Sequence, residues 1–253
     1  DTVPAGEDEE PYVDTFYRRS DDGGRTWSAP LNLYPDSTDV SARIYLEIDP
    51  DDGVHVTWDE GWQRMPNDDA RHQSIYVSSS DGGRTWSAPT VVSYPDGKVA
   101  QLTVGSDGDG GVVLVWRATL RDELFYMRST DGGYSWSAPS DIPGIFARPW
   151  FTPFDMYDMA TDSRGHIHLI VVGRVTRQSD ERLGVYHLVW DGVQWSDPDR
   201  IFVLDDMYPE YPKIVIHEGN QLHAVWFARQ GTVWDGYESR KVWYSSALSS
   251  APR

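Results

Sequence analysis

Short runs of apolar residues, some alternating with polar ones and some unbroken, recur along this chain between clusters of Asp, Gly, Pro and Ser. Runs of that length, bounded by turn-forming residues, predict β-strands rather than helices. In the first complete cycle they cover residues 42–48, 54–58, 74–78 and 90–93. The cycle returns at 100–104, 112–116, 124–128 and a stretch after Pro139, then at 156–160, 167–172, 184–190 and 200–203. A last cycle holds 213–217, 222–227 and 242–245, and one lone run, 13–18, stands ahead of the first. Within each cycle the order is constant. A tight turn joins the first two strands, a long polar loop leads to the third, and a second tight turn leads to the fourth.

That second turn is nearly the same sequence each time. Ser20 to Trp27 reads SDDGGRTW, Ser79 to Trp86 reads SSDGGRTW and Ser129 to Trp136 reads STDGGYSW, each followed by Ser-Ala-Pro. WDGVQWSDP is a shorter copy ending at Trp195, and YSSALSSAP reads as a fifth, with Ser249 in the tryptophan's place. The copies fall 50 to 59 residues apart. A four-stranded repeat of roughly 40 to 50 residues or slightly more predicts a β-propeller blade. An Asp at such a turn accepts hydrogen bonds from the amides just ahead of it, and the glycines permit left-handed backbone. Asp22, Asp81 and Asp131 are therefore read as structural, with the tryptophan as an apolar plate between blades.

The pattern S-x-D-x-G-x-T-W resembles the Asp-box of the sialidase-like propellers, a superfamily of exo-sialidases, other glycoside hydrolases and non-catalytic propellers. The resemblance spans nearly the whole chain. It implies an all-β fold of four-stranded antiparallel blades with Asp-box hairpins, in one domain over residues 1–253. It also implies an exported protein, extracellular or at a cell surface. About four full blades and a partial first one are expected. The first box follows a single strand, and the last cycle lacks its fourth. Five outer hairpins thus stand against four inner ones, whereas a closed ring needs equal numbers, so the sequence reads as a segment of a longer propeller within a larger chain or assembly.

Composition narrows the partners. Forty acidic against 22 basic residues give a net charge of −18, which disfavours nucleic acid and anionic membranes. The absence of cysteine excludes disulfides, thiol catalysis and cysteine metal sites. No apolar run is long enough for a membrane span. No cofactor is implied. The acidic turns 49–53 and 105–111 imitate the start of a calcium loop but lack its distal glutamate, and they occupy the same hairpin position as ATDSRG and HEGN. They are read as plain turns. His55, His168 and His223 share one position in the second strand of their cycles, which points to packing within each blade rather than to a metal site.

Antiparallel order sorts the connections into two ends. Short, stereotyped turns share one end; long, variable loops rich in aromatic and charged residues share the other, where a binding site is expected. Arg117, Arg174 and Arg229 lie at the long-loop ends of second strands, and Arg43 and Arg148 flank first strands. Guanidinium groups converging there can hold a carboxylate in bidentate fashion. Trp62, Trp150 and Trp234 offer apolar platforms for sugar rings or partner side chains. The expected ligand-binding set is thus Arg43, Trp62, Arg117, Arg148, Trp150, Arg174, Arg229 and Trp234, with no metal. Sialidases grip a carboxylate with three arginines and use a tyrosine nucleophile activated by a glutamate. FARP at Phe146 to Pro149 is similar to, without matching, the family's Arg-Ile-Pro motif. Tyr208, Glu210 and Tyr211 are the catalytic candidates; on an extended strand Tyr208 and Glu210 share a side, whereas Glu210 and Tyr211 do not. The favoured function is a glycan- or protein-binding or scaffold module, and the alternative is an exo-acting glycoside hydrolase of the sialidase type.

Overall fold

The computed structural model describes residues 14–37, 39–49, 51–61, 73–92, 99–118, 122–147, 157–177, 182–205, 207–230 and 240–249. They form antiparallel β-structure, with no helix among the described residues. A two-stranded hairpin, β1 (Phe16–Tyr17) with β2 (Leu31–Asn32), carries the first box. Blade I follows with β3 (Ser41–Ile48), β4 (Val54–Glu60), β5 (Gln73–Ser79) and β6 (Thr90–Val92). Blade II holds β7 (Val99–Ser106), β8 (Val112–Ala118), β9 (Glu123–Ser129) and β10 (Ser140–Ala147). Blade III holds β11 (Tyr157–Thr161), β12 (Ile167–Arg174), β13 (Gly184–Trp190) and β14 (Asp199–Phe202). Blade IV has three strands, β15 (Met207–His217), β16 (Gln221–Gln230) and β17 (Arg240–Leu248). The strand cycles read from the sequence are these blades, so the propeller expectation holds, as an open arrangement rather than a closed ring.

Burial explains the two apolar patterns. β8 and β12 carry the continuous apolar runs 112–116 and 169–172 because a neighbouring blade covers each face, and Val112, Leu114, Trp116, Leu169, Val171 and Val172 are fully buried. In β3 the residues alternate, and Ile44, Leu46 and Ile48 face outward at one end of the row of blades. At the other end Val215, Val225, Val242 and Tyr244 are exposed in the same manner. First strands line a common axis: β7 packs against β3 and β4, and β11 lies between β7 and β15. The axis is narrow enough for the Lys213 ammonium of blade IV to sit 4.9 Å from the ring centre of Tyr45 in blade I.

Each box turn is built in the same way. In the second, Ser79 Oγ donates to Asp81 Oδ1 at 2.7 Å and accepts from Gly83 N at 2.8 Å, while Thr85 donates from its amide and its hydroxyl to the Asp81 carboxylate at 2.8 and 2.7 Å. The same bonds recur around Asp22 and Asp131. For Asp22 the bonds from Thr26, and for Asp131 those from Ser129 and Ser135, hold the carboxyl down at about 2. A side chain that gathers so many local donors is occupied by its own turn, which is why repetition signals structure here.

At the first three junctions a tyrosine locks into the next box. Tyr17 meets Trp86 at 4.8 Å, Tyr76 meets Trp136 at 5.1 Å and Tyr126 meets Trp195 at 5.9 Å, all edge to face. Gly83 and Gly133, both with positive φ, face the Tyr17 and Tyr76 hydroxyls so closely that a Cβ would overlap them. The fifth copy does not follow this scheme. Register pairs Leu222 with Ala247 and Val225 with Tyr244, as Val54 pairs with Ser79 and Thr57 with Tyr76. Tyr244 therefore takes the place of Tyr76, and Ser249 falls at the position of Asp81, not at that of the tryptophan. YSSAL is the third strand of blade IV.

The acidic turns are each closed by their own aspartate. Asp49 Oδ1 accepts from Gly53 N at 2.7 Å, Asp107 Oδ1 from Gly111 N at 2.7 Å, and Asp162 Oδ1 from His166 N at 3.0 Å. The three histidines are each engaged within their own blade, with Nδ1 of His55 2.8 Å from the Tyr76 hydroxyl, of His168 2.8 Å from His187 Nε2, and of His223 2.7 Å from the Tyr244 hydroxyl.

Candidate binding site at the long-loop end

The end opposite the boxes has a different local design. In three first strands the ladder slips by a bulge, and Arg43, Gln101 and Tyr211 sit there with φ of 51, 59 and 50°. Positive φ in residues with a side chain costs about 1–3 kcal/mol and persists only where surroundings hold it. The surroundings are ionic and hydrogen-bonded. Asp59 of β4, fully buried, accepts from the Gln101 and Leu102 amides at 2.8 and 3.4 Å, from Ser74 Oγ at 2.8 Å and from Arg43 Nη1 at 3.5 Å. Its carboxylate thus spans the bulges of two blades. Burial pushes its pKa up, and the Gln101 amide and Arg43 oppose the rise.

Blade IV brings three of the singled-out residues together. Arg229 Nε donates to Glu210 Oε1 at 2.8 Å with both groups buried, and the guanidinium carbon lies 5.9 Å from the ring centre of Tyr208, which is 36% exposed. The pairing Tyr208↔Arg229 across β15 and β16 sets this up. Tyr211 is not in the group. Its ring stacks on Phe227 at 5.2 Å, and it sits in the bulge rather than on regular extended strand.

The other arginines are dispersed. Arg174 is bonded to Asp122, beside which Arg177 pairs with Glu123 and covers the Phe146 ring at 4.7 Å. Arg117 is fully buried in β8. Arg43, Arg174 and Arg229 each have a carboxylate of the chain as partner, an arrangement that fixes guanidinium planes at the cost of their availability to a ligand. Trp62, Arg148, Trp150 and Trp234 lie outside the described residues.

Sequence reasoning missed the axis. Glu47, with Asp158 and Asp49 near it, is pushed up to about 8 by burial first and those two charges second, so it is protonated at neutral pH. Asp158 is raised by burial against the pull of Lys213, whose ammonium is 3.4 Å from Oδ1. The alternation of β3 carries a readable signal: Tyr45, Glu47 and Asp49 occupy one side of a strand whose other side is Ile44, Leu46 and Ile48. Asp59 was legible only as the residue standing where blade II has Arg117.

Solved structures resemble this architecture. An ulvan lyase of a polysaccharide lyase family has a TM-score of 0.62 at 11% identity, over 92% of this chain and 64% of its own. The NanB sialidase of Streptococcus pneumoniae gives 0.55 at 17%, over 86% and 32%. An α-L-arabinanase of Penicillium chrysogenum gives 0.55 at 14%, over 89% and 72%. At such identities the likeness is one of fold. The chain spans less than two-thirds of the length of the first two. No curated protein sequence matches it. The model of the BNR repeat-like domain, however, matches residues 4–224, which include the boxes at 20–27, 79–86 and 129–136, and the chain belongs to that family.

Proposed function

We propose that the chain binds a carbohydrate at its long-loop end, on the outside of a cell, with blade IV at the centre of the site. The observation that carries this reading is the group formed by Tyr208, Arg229 and Glu210. A partly exposed aromatic ring offers a flat apolar face to the C–H side of a sugar, and the buried ion pair behind it holds polar groups in fixed positions. The similar folds named above belong to proteins whose names place them on carbohydrates. At the opposite end, the box carboxylates are taken up by their own turns. Among the described residues no helix is long and apolar enough to cross a membrane.

Binding to a glycan array tests the reading. Tyr208→Ala lowers binding at least tenfold under it, and Trp27→Ala, at the box end, leaves binding unchanged. Equal binding by wild type and Tyr208→Ala would overturn it.

A second reading is favoured by the same proximity of Tyr208 and Glu210: an exo-acting hydrolase in which Tyr208 is the nucleophile and Glu210 its activating base, oriented by Arg229. Hydrolysis of a fluorogenic sialoside distinguishes the two. Turnover that Tyr208→Phe abolishes while binding survives supports the enzyme; no turnover with binding intact supports the module.

A further inference from the structure

At the box end the repeat is broken in the junction between blades I and II. In the first hairpin and in blades I and II, the residue before the box serine is held by the same bond, its amide donating to the serine after the box tryptophan. Arg19 donates to Ser28 Oγ at 3.0 Å, Ser78 to Ser87 Oγ at 3.0 Å and Arg128 to Ser137 Oγ at 3.1 Å. These three positions are therefore equivalent. The two arginines each cross their junction to the first glycine of the next box: Arg19 Nη1 donates to the Gly82 carbonyl at 3.1 Å, and Arg128 Nη1 to the Gly192 carbonyl at 3.4 Å. The Arg128 guanidinium carbon also lies 5.9 Å from the ring centre of Trp190. Ser78 is too short to make such a bridge.

Both ends of the missing bridge line an open cleft. Its volume is about 210 Å³, and Asp49, His55, Ser78, Trp86, Gly132 and Tyr134 are among the residues around it. Gly132 is the counterpart of Gly82 in the next box, and its carbonyl is left to accept. The Tyr76 hydroxyl lies 3.5 Å from that carbonyl but 2.8 Å from His55 Nδ1. His55 Nε2 faces the Asp49 carboxylate at 3.1 Å, and a carboxylate only accepts, so the neutral ring carries its proton on Nε2. Nδ1 then takes the single proton of Tyr76. Burial pushes the Asp49 carboxyl up, but the bonds from His55 and Gly53 outweigh it and hold the group below its ordinary range, so it is charged at neutral pH. Tyr134, 82% exposed, stands at the rim.

We infer that the junction of blades I and II is a binding site for a guanidinium group, the side chain of an arginine, which enters between Trp86 and Tyr134 and donates to the Gly132 carbonyl as Arg19 and Arg128 do at the sister junctions. The chemistry of the walls fits a planar cation. A carbonyl and the serine hydroxyls accept from its fork of N–H groups, and the two rings offer faces on which a guanidinium stacks. Asp49 supplies the opposite charge, and the net charge of −18 draws cations toward the surface as a whole. Both walls belong to four-stranded blades. An ammonium suits the cleft less well, because it is more strongly hydrated and has no plane to stack.

The test titrates the whole chain with N-acetyl-arginine methylamide, with its citrulline counterpart, which keeps the shape without the charge, and with the lysine compound. Nitrogen NMR signals of the Trp86 indole and the Tyr134 amide are followed. The expected result is a saturable shift of both signals by the arginine compound in the millimolar range, with about tenfold weaker binding by the other two. A pentapeptide with arginine at its centre separates the sources: tighter binding than the methylamide assigns the side chain to a partner polypeptide, and equal binding assigns it to a free arginine-like compound. Ser78→Arg rebuilds the bridge of the sister junctions, and is expected to raise the thermal midpoint and abolish binding of the arginine compound. Equal affinity for the arginine and citrulline compounds, no saturation at roughly 100 mM, or undiminished binding by Ser78→Arg would overturn the inference. If Ser78→Arg does not fold, the comparison of the arginine and citrulline compounds on the wild-type chain decides.

Discussion

The box end and the long-loop end of this molecule are both crowded with carboxylates, but they use them in opposite ways. At the box end Asp22, Asp81 and Asp131 sit at the surface, and each is satisfied by residues within four positions of itself. At the loop end Asp59 and Glu210 are buried, and their partners come from other strands, 15 to 43 residues away. Local satisfaction can be copied from blade to blade, because nothing outside the turn takes part. Distant satisfaction cannot, and each blade arrives at its own solution. The repeated end is therefore scaffold, and the unrepeated end is where one asymmetric site can form.

The largest effect expected from this contrast is at the loop end. Glu210→Ala leaves the Arg229 guanidinium buried without its carboxylate, a loss of about 3–5 kcal/mol in urea-induced unfolding. A change under roughly 1 kcal/mol would mean that the pair is not held as described. Box tryptophans should then grade by burial. Trp86, half-buried against Tyr17, is expected to cost about 2 kcal/mol on truncation to Ala, below the roughly 3–5 kcal/mol of a fully buried aromatic. Trp27, 55% exposed, should shift the thermal midpoint hardly at all. Similar losses at both sites would refute the grading.

Smaller effects follow from protonation. Since Asp22 and Asp131 titrate at about 2 in the fold against 3.8 ordinarily, the stability they lend is complete above pH 4 and is lost as pH falls through about 2. Changing both to Asn should flatten the acid limb of the stability curve, a result readable by circular dichroism. Glu47 has the opposite sign. Its folded value of about 8 lies above the ordinary 4.5, so its ionisation opposes folding increasingly from pH 4.5 up to about 8. Glu47→Gln should therefore raise the melting temperature more at pH 9 than at pH 5, and an equal rise at both would remove Glu47 from the account.

The strands and boxes were legible because their signals are local: alternation, turn residues and an eight-residue motif each act within one hairpin. The same locality misled at the C-terminus. YSSALSSAP shares Ser-Ala-Pro with the boxes, but only the cross-strand partner of Tyr244 fixes its register, and that partner lies on β16. At the site, Tyr208 and Glu210 could be grouped from strand geometry, and Arg229 could be placed at the same end. That Arg229 binds Glu210 was not readable, because it depends on a bulge between Glu210 and Lys213. Asp59 and Glu47 were passed over for a related reason, since each interacts with residues of another blade, Gln101 and Leu102 for the first and Asp158 for the second.

Each clasping tyrosine and the tryptophan that receives it belong to successive segments of chain, so away from the axis it is neighbouring blades that are coupled. Stability in such a row behaves as a sum of unit terms and nearest-neighbour terms. Blade II is clasped from both sides, through Tyr76 on one and Tyr126 on the other, whereas at the junction of blades III and IV His187 stands in the tyrosine's place. Amide exchange in the native state should consequently be slow in β8, buried along its whole length in the doubly clasped blade, and faster in β17, most of whose residues are exposed.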